Sequence, residues 1–190
     1  TRRFSLTQEG LRSASISPDG RYIALATGTT PESSLWLRAI ETEAVREIPG
    51  TEGARPQLGW SPDSQSIVFA TNDVIKRVAI AGGDPITLGE LPGNGYRGFL
   101  GVSWSPDNER IVFSSLGGRL YEIPARGGAH RVLVDRDLGN AEQPHFLPTN
   151  SGPAALVYQA SASGGFRIWV LNLETGERSE VAPGSAPVYS

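Results

Sequence analysis

The chain contains no cysteine and no methionine, and only two histidines, His130 and His145, among its 190 residues. Without cysteine there are no disulfides and no thiolate metal sites. The two histidines have no partner at metal-ligand spacing, so neither a zinc site nor another metal site is expected. Charge of either sign is scarce as well. The net charge is −3, which excludes the basic footprint of a nucleic-acid binder. No apolar run approaches the roughly 18 residues of a membrane-spanning helix, and the start shows no signal-peptide core. Catalytic motifs are missing too: there is no Gly-x-Ser-x-Gly elbow, no phosphate loop and no Gly-x-Gly-x-x-Gly following a strand. No catalytic residue, cofactor or metal is therefore expected of this chain. Because it opens Thr-Arg-Arg-Phe without an initiator, it reads as a piece of a longer protein or a processed product.

What the chain has instead is a repeat. Ser17-Pro18-Asp19, Ser61-Pro62-Asp63 and Ser105-Pro106-Asp107 stand 44 residues apart, each after a short apolar strand, and a degenerate copy follows at Phe146-Leu147-Pro148-Thr149. A period of about 40–50 residues holding several short strands is the signature of a β-propeller, in which one repeat is one four-stranded blade. The second repeat shows the pattern: Gln57–Trp60, Ile67–Ala70, Ile75–Ile80 and Pro85–Leu88 are strand-like, and the turns between them carry Ser-Pro-Asp-Ser, Asn-Asp and Gly-Gly. The second strands (Ile23–Ala26, Ile67–Ala70, Ile111–Ser114 and Leu156–Gln159) are apolar on both faces, as strands sandwiched between neighbouring sheets must be.

The expected fold is thus all-β, a propeller of about four complete blades of about 44 residues, over 11–53, 54–97, 98–139 and 140–184. Residues 1–10 read as the outer strand of a preceding blade and 185–190 as the start of a following one. On that reading the chain is an arc of a ring of six or more blades, with two blade faces left open to self-association.

In the Ser-Pro-Asp turns, Pro18, Pro62 and Pro106 set φ for the first corner, and Asp19, Asp63 and Asp107 bond back to the backbone. Coming one per blade, these carboxylates read as turn formers and not as a cation site. Gly20 gives way to Ser64 and Asn108 in the next copies, so glycine is not strictly required there. Trp60 and Trp104, and the column Trp36, Tyr121 and Trp169 with Lys76 in its remaining slot, read as packing between blades. The loops that carry the chain from one blade to the next hold Glu52, Arg55, Tyr96, Arg97, Asp137, Glu142 and His145. This mixture suits a protein or peptide partner or a small polar ligand at the channel mouth, and equally a solvated rim.

Repeats of Trp-Ser-Pro-Asp-(Gly/Ser/Asn) with a following Ile-Val-Phe strand and an Ala-Gly-Gly hairpin resemble the WD40-like (PD40) propeller repeats first defined in TolB. The Gly-His and Trp-Asp dipeptides of eukaryotic WD40 blades are missing. A narrower likeness runs through Leu35-Trp36-Leu37-Arg38, Ile48-Pro49-Gly50-Thr51-Glu52-Gly53-Ala54, Trp60-Ser61-Pro62-Asp63-Ser64, Ala81-Gly82-Gly83 and Pro144-His145-Phe146-Leu147-Pro148. These segments are similar to the C-terminal propeller of bacterial receptor-type serine/threonine protein kinases. That resemblance implies a non-catalytic sensing or protein-binding module outside the cytoplasm, with the kinase domain elsewhere in the parent chain, since no kinase motif occurs here. The alternatives are the gating propeller of a prolyl-oligopeptidase-like peptidase and a TolB-like periplasmic protein-interaction propeller.

Overall fold

The computed structural model describes residues 10–29, 31–92, 99–115, 117–135, 140–147, 155–162 and 165–185. Tyr96, Arg97 and Asp137, and the segments 1–9, 148–154 and 186–190, lie outside them. The described residues form sixteen strands in four antiparallel sheets of four, and no helix. The first sheet holds β1 (Leu11–Ile16), β2 (Tyr22–Thr27), β3 (Ser34–Ala39) and β4 (Val45–Glu47). The second holds β5 (Leu58–Trp60), β6 (Ser66–Ala70), β7 (Val74–Ala79) and β8 (Ile86–Glu90). The third holds β9 (Gly101–Trp104), β10 (Arg110–Ser115), β11 (Arg119–Pro124) and β12 (Arg131–Val134). The fourth holds β13 (Asn140–Phe146), β14 (Ala155–Ala162), β15 (Gly165–Asn172) and β16 (Arg178–Pro183). Every sheet pairs its strands in chain order, as hairpin-connected meanders do.

The side-chain period of two explains how the sheets associate. Along β6, Ile67 and Phe69 point to one face and Val68 and Ala70 to the other, and all four are fully buried. Ile67 and Phe69, with Val78 and Ile80, meet Ala24, Ala26, Leu35 and Leu37 of the first sheet. Val68, Ala70, Ile75 and Leu88 meet Ile111, Phe113, Tyr121 and Ile123 of the third. The pattern repeats once more, with Val112, Leu120 and Val134 against Leu156, Tyr158 and Leu171 of the fourth sheet. Three cores therefore lie between sheets, and each outermost strand remains largely exposed, as at Val45, Ile86, Val132 and Val181. Tyr121 and Trp169 belong to this inter-sheet packing. Trp36 is half-buried, and its indole donates to Ser34 Oγ at 3.0 Å.

The Ser-Pro-Asp corners join the sheets as well as turn the chain. In each corner the fourth residue donates its backbone N–H to the serine carbonyl at 2.9 Å: Gly20 to Ser17, Ser64 to Ser61, Asn108 to Ser105. Each aspartate accepts the serine hydroxyl and the N–H two residues on, from Arg21, Gln65 or Glu109 at 3.0 Å. The fourth residue sits at φ 69°, 61° and 64°, in the left-handed region. Ser64 and Asn108 are more than tolerated replacements for glycine. Ser64 Oγ accepts the Asp19 N–H at 3.1 Å, and Asn108 Nδ2 donates to Asp63 Oδ2 at 3.1 Å, so each side chain bonds the corner before it. Each bond joins two repeats, so no single repeat carries its signal.

Ser64→Ala is therefore expected to cost about 1 kcal/mol by losing one hydrogen bond. Ser64→Gly should cost less, because glycine relieves the positive φ that alanine would keep. Chemical denaturation of the two variants checks the order. The Ser61 hydroxyl and the Gln65 N–H hold the Asp63 carboxyl below its ordinary range. The corner's contribution is accordingly full above about pH 4 and fades as the pH falls through that lowered value.

Candidate binding site

The innermost strands β1, β5, β9 and β13 run side by side at one edge of the four sheets. Two glycines allow this approach. A Cβ on Gly59 would meet Val102 Cγ1 at 3.2 Å, and one on Gly101 would meet the Gln143 Cα at 2.8 Å. Three hydrogen bonds then tie the strands across the seams. Ser13 Oγ donates to the Pro56 carbonyl, Trp60 Nε1 donates to the Ser15 carbonyl at 3.1 Å, and the Phe146 N–H donates to Ser103 Oγ at 3.1 Å. Trp104, matched to Trp60, keeps its indole N–H buried without a hydrogen-bond partner among the described residues.

The fourth innermost strand is irregular. Its register slips between Glu142 and His145, and Gln143 takes φ 49°. Proline cannot donate to a ladder, so Pro144 belongs at such a bulge. The bulge turns Gln143 and His145 toward a cleft of about 330 Å³, which Arg12 of β1, Gln57 and Leu58 at the start of β5, and Val102 of β9 also line. Burial pushes the His145 imidazole below its ordinary pKa, so it is neutral at pH 7. Arg12 then carries the cleft's only formal charge among the described residues. His145 makes no hydrogen bond to a serine or carboxylate among the described residues, and no group of three metal-ligating side chains occurs among them. The cleft thus offers one cation, two amides, a neutral imidazole and an apolar wall.

Of the loop residues singled out in the sequence, Tyr96, Arg97 and Asp137 lie outside the described residues, and among the others His145 alone lines this cleft. Glu52 accepts the Gly50 N–H at 3.3 Å within its own loop. Arg55 ties the β4–β5 connection to the β6–β7 turn through the Thr71 carbonyl at 3.2 Å and Asn72 Oδ1 at 3.5 Å. Glu142 accepts from Gln159 Nε2 at 3.1 Å inside the fourth sheet. Arg12, Gln57 and Gln143 were missed. Arg12 could have been found by overlaying the repeats, since it matches the apolar Pro56 and Leu100, and Gln143 by the proline after it.

The comparisons with known proteins bear on the fold. TolB from Acinetobacter baumannii superposes with a TM-score of 0.71 at 18% identity, covering 94% of this chain and 45% of that one. The fold is a TolB-like β-propeller. A TolB-assigned protein from Agrobacterium tumefaciens gives a TM-score of 0.73 at 17% identity, covering 94% of this propeller and 64% of that chain. A chain of the nidogen/laminin complex gives 0.64 at 15%, covering 83% and 60%. No protein-family model matches. In sequence, the propeller is 38% identical over 71 residues to the COMPASS component SWD3 of Saccharomyces cerevisiae, covering 35% of this chain and 21% of that protein. It is 32% identical over 140 residues to a WD repeat-containing protein of Synechocystis sp., covering 72% and 38%. The propeller thus spans less than two thirds of each of these five proteins.

Proposed function

We propose that this propeller is a non-catalytic binding module that takes an extended peptide segment of a partner protein in its axial cleft. The observation that carries the reading is the convergence of all four innermost strands on one cleft, with the bulge at Gln143-Pro144 presenting polar groups to it. Rare backbone conformations concentrate at sites of this kind. The test is selection of peptides from a random displayed library against the purified chain, followed by titration of an enriched peptide. Amide resonance shifts should map to β1, β5, β9 and β13, and Arg12→Ala or Gln143→Ala should weaken binding about tenfold. Shifts confined to the outer strands, or affinity untouched by both substitutions, would overturn the proposal. Because His145 is neutral, affinity should stay flat as the pH falls to about 6.5 and change only below it. His145→Gln should abolish that change.

The finer form of this reading is an arc of a larger ring serving as the extracytoplasmic sensor of a membrane-bound serine/threonine kinase. The repeat likeness and the open outer faces support it. Ile16, at the position that Trp60, Trp104 and Phe146 fill in later sheets, is 61% exposed, and Phe166 on β15 is 43% exposed. Flanking coding sequence decides between the readings: a membrane helix with kinase motifs upstream supports the sensor, and a hydrolase elbow downstream supports a peptidase gate.

A further inference from the structure

A second cavity, of about 380 Å³, opens between the first and second sheets at their Ser-Pro-Asp ends, away from the axial cleft. This volume is within the range of small-ligand pockets. Its floor is apolar, formed by Leu37, Ala39 and Ile80, and two guanidinium groups, Arg21 and Arg46, line it. Its one carboxylate among the described residues, Asp19, is engaged by its own corner, where Oδ1 accepts from the Ser17 hydroxyl at 2.6 Å and the Arg21 N–H at 3.0 Å. Arg46 is placed by a hydrogen bond to the Ile80 carbonyl of the next sheet. It has no carboxylate partner among the described residues.

The repeat supplies an internal control. Arg46 pairs with Leu37 across the first sheet, and Arg131 pairs with Glu122 at the same register of the third. There Arg131 Nε donates to Glu122 Oε1 at 2.9 Å, and Arg110 adds a second ion pair to that glutamate at 3.7 Å. The third sheet thus carries its own acid, whereas the first keeps the arginine and puts a leucine where the acid would stand. We infer that the cavity between the first and second sheets is a binding site for a carboxylate on a short aliphatic body, such as a peptide's free C-terminal residue. The carboxylate takes the place that Glu122 holds two sheets on, beside Arg46 and Arg21, and the aliphatic body covers Leu37 and Ile80.

The test is titration of acetyl-Gly-Ala-Ala-Val with a free C-terminus, its C-terminal amide, and isovalerate, followed by amide shifts and calorimetry. The free acid should bind at least about tenfold more tightly than the amide, with shifts at Arg46, Ile80 and Ala81, because a charge-assisted hydrogen bond is lost in the amide. Arg46→Gln should remove that preference. Arg131→Gln should leave it intact. Leu37→Glu should supply the acid internally and abolish binding, and Arg46→Gln keeps the test decisive if the glutamate variant fails to fold. A peptide that binds more tightly than isovalerate identifies chain ends as the source, and equal binding identifies free small acids; either result supports the site. Equal affinity of acid and amide, no binding at millimolar concentration, or unchanged preference in Arg46→Gln would overturn it. The two cavities share no residue, so failure here leaves the axial proposal standing.

Discussion

Phe113→Ala is expected to destabilise the propeller by about 3–5 kcal/mol, the range for deleting a fully buried aromatic ring. Phe113 is completely buried between the second and third sheets. It stacks on Tyr121 at 5.6 Å and on Phe99 at 6.1 Å between ring centroids. Neighbours around such a cavity relax only in part, so the cost combines lost transfer energy with an unfilled void. The position matters further because Phe113 belongs to a seam. In a repeat array, stability is a sum of unit terms and nearest-neighbour interface terms, and weakening one interface uncouples the halves on either side. The denaturation curve of Phe113→Ala should therefore broaden or split, as well as shift. Val132→Ala, on an exposed outer strand, is the matched control and should stay within about 0.5 kcal/mol of the parent. A shift of that small size at Phe113 would mean that the seams do not hold the array together.

Gly101→Ala should cost about 1–3 kcal/mol by overpacking, and Gly101→Val more. The decisive contact is with backbone: the added Cβ would lie 2.8 Å from the Gln143 Cα and 3.0 Å from its N. A side chain can rotate away from such an intrusion, but a strand cannot, so β9 and β13 must separate. Gly59→Ala offers the comparison. Its Cβ would meet Val68 Cγ1 at 3.1 Å and Val102 Cγ1 at 3.2 Å, side-chain methyl groups that need to give by only a few tenths of an ångström. The Gly59 variant should lose clearly less stability and keep peptide affinity, whereas the Gly101 variant should lose both, since separating β9 from β13 displaces Gln143. Equal losses at the two glycines would refute the backbone explanation.

The architecture was legible because its causes are local and repeated. The Ser-Pro-Asp corners, the doubly apolar second strands and the glycine hairpins each dictate conformation within a few residues. Their fixed spacing then forces one answer four times. The cleft was less legible because it is assembled from four innermost strands that sequence keeps about 44 residues apart. Loop composition drew notice to Glu52 and Arg55, whose groups are spent on nearby backbone and side chains. The contributing residues Arg12 and Gln57 sit in or beside strands, where a polar side chain looks like ordinary alternation. Gln143 was hidden by a bulge, because an irregular strand shifts which side chains face the axis.

The bonded corners have a mechanical implication. Asp19 to Ser64 and Asp63 to Asn108 clamp the first three sheets at the end where the innermost strands finish. Arg12 and Gln57 stand where those strands begin, beside the second tie between the first two sheets, from the Ser13 hydroxyl to the Pro56 carbonyl. The first two sheets are therefore pinned at both ends of their inner edge, and sliding of one past the other should be small.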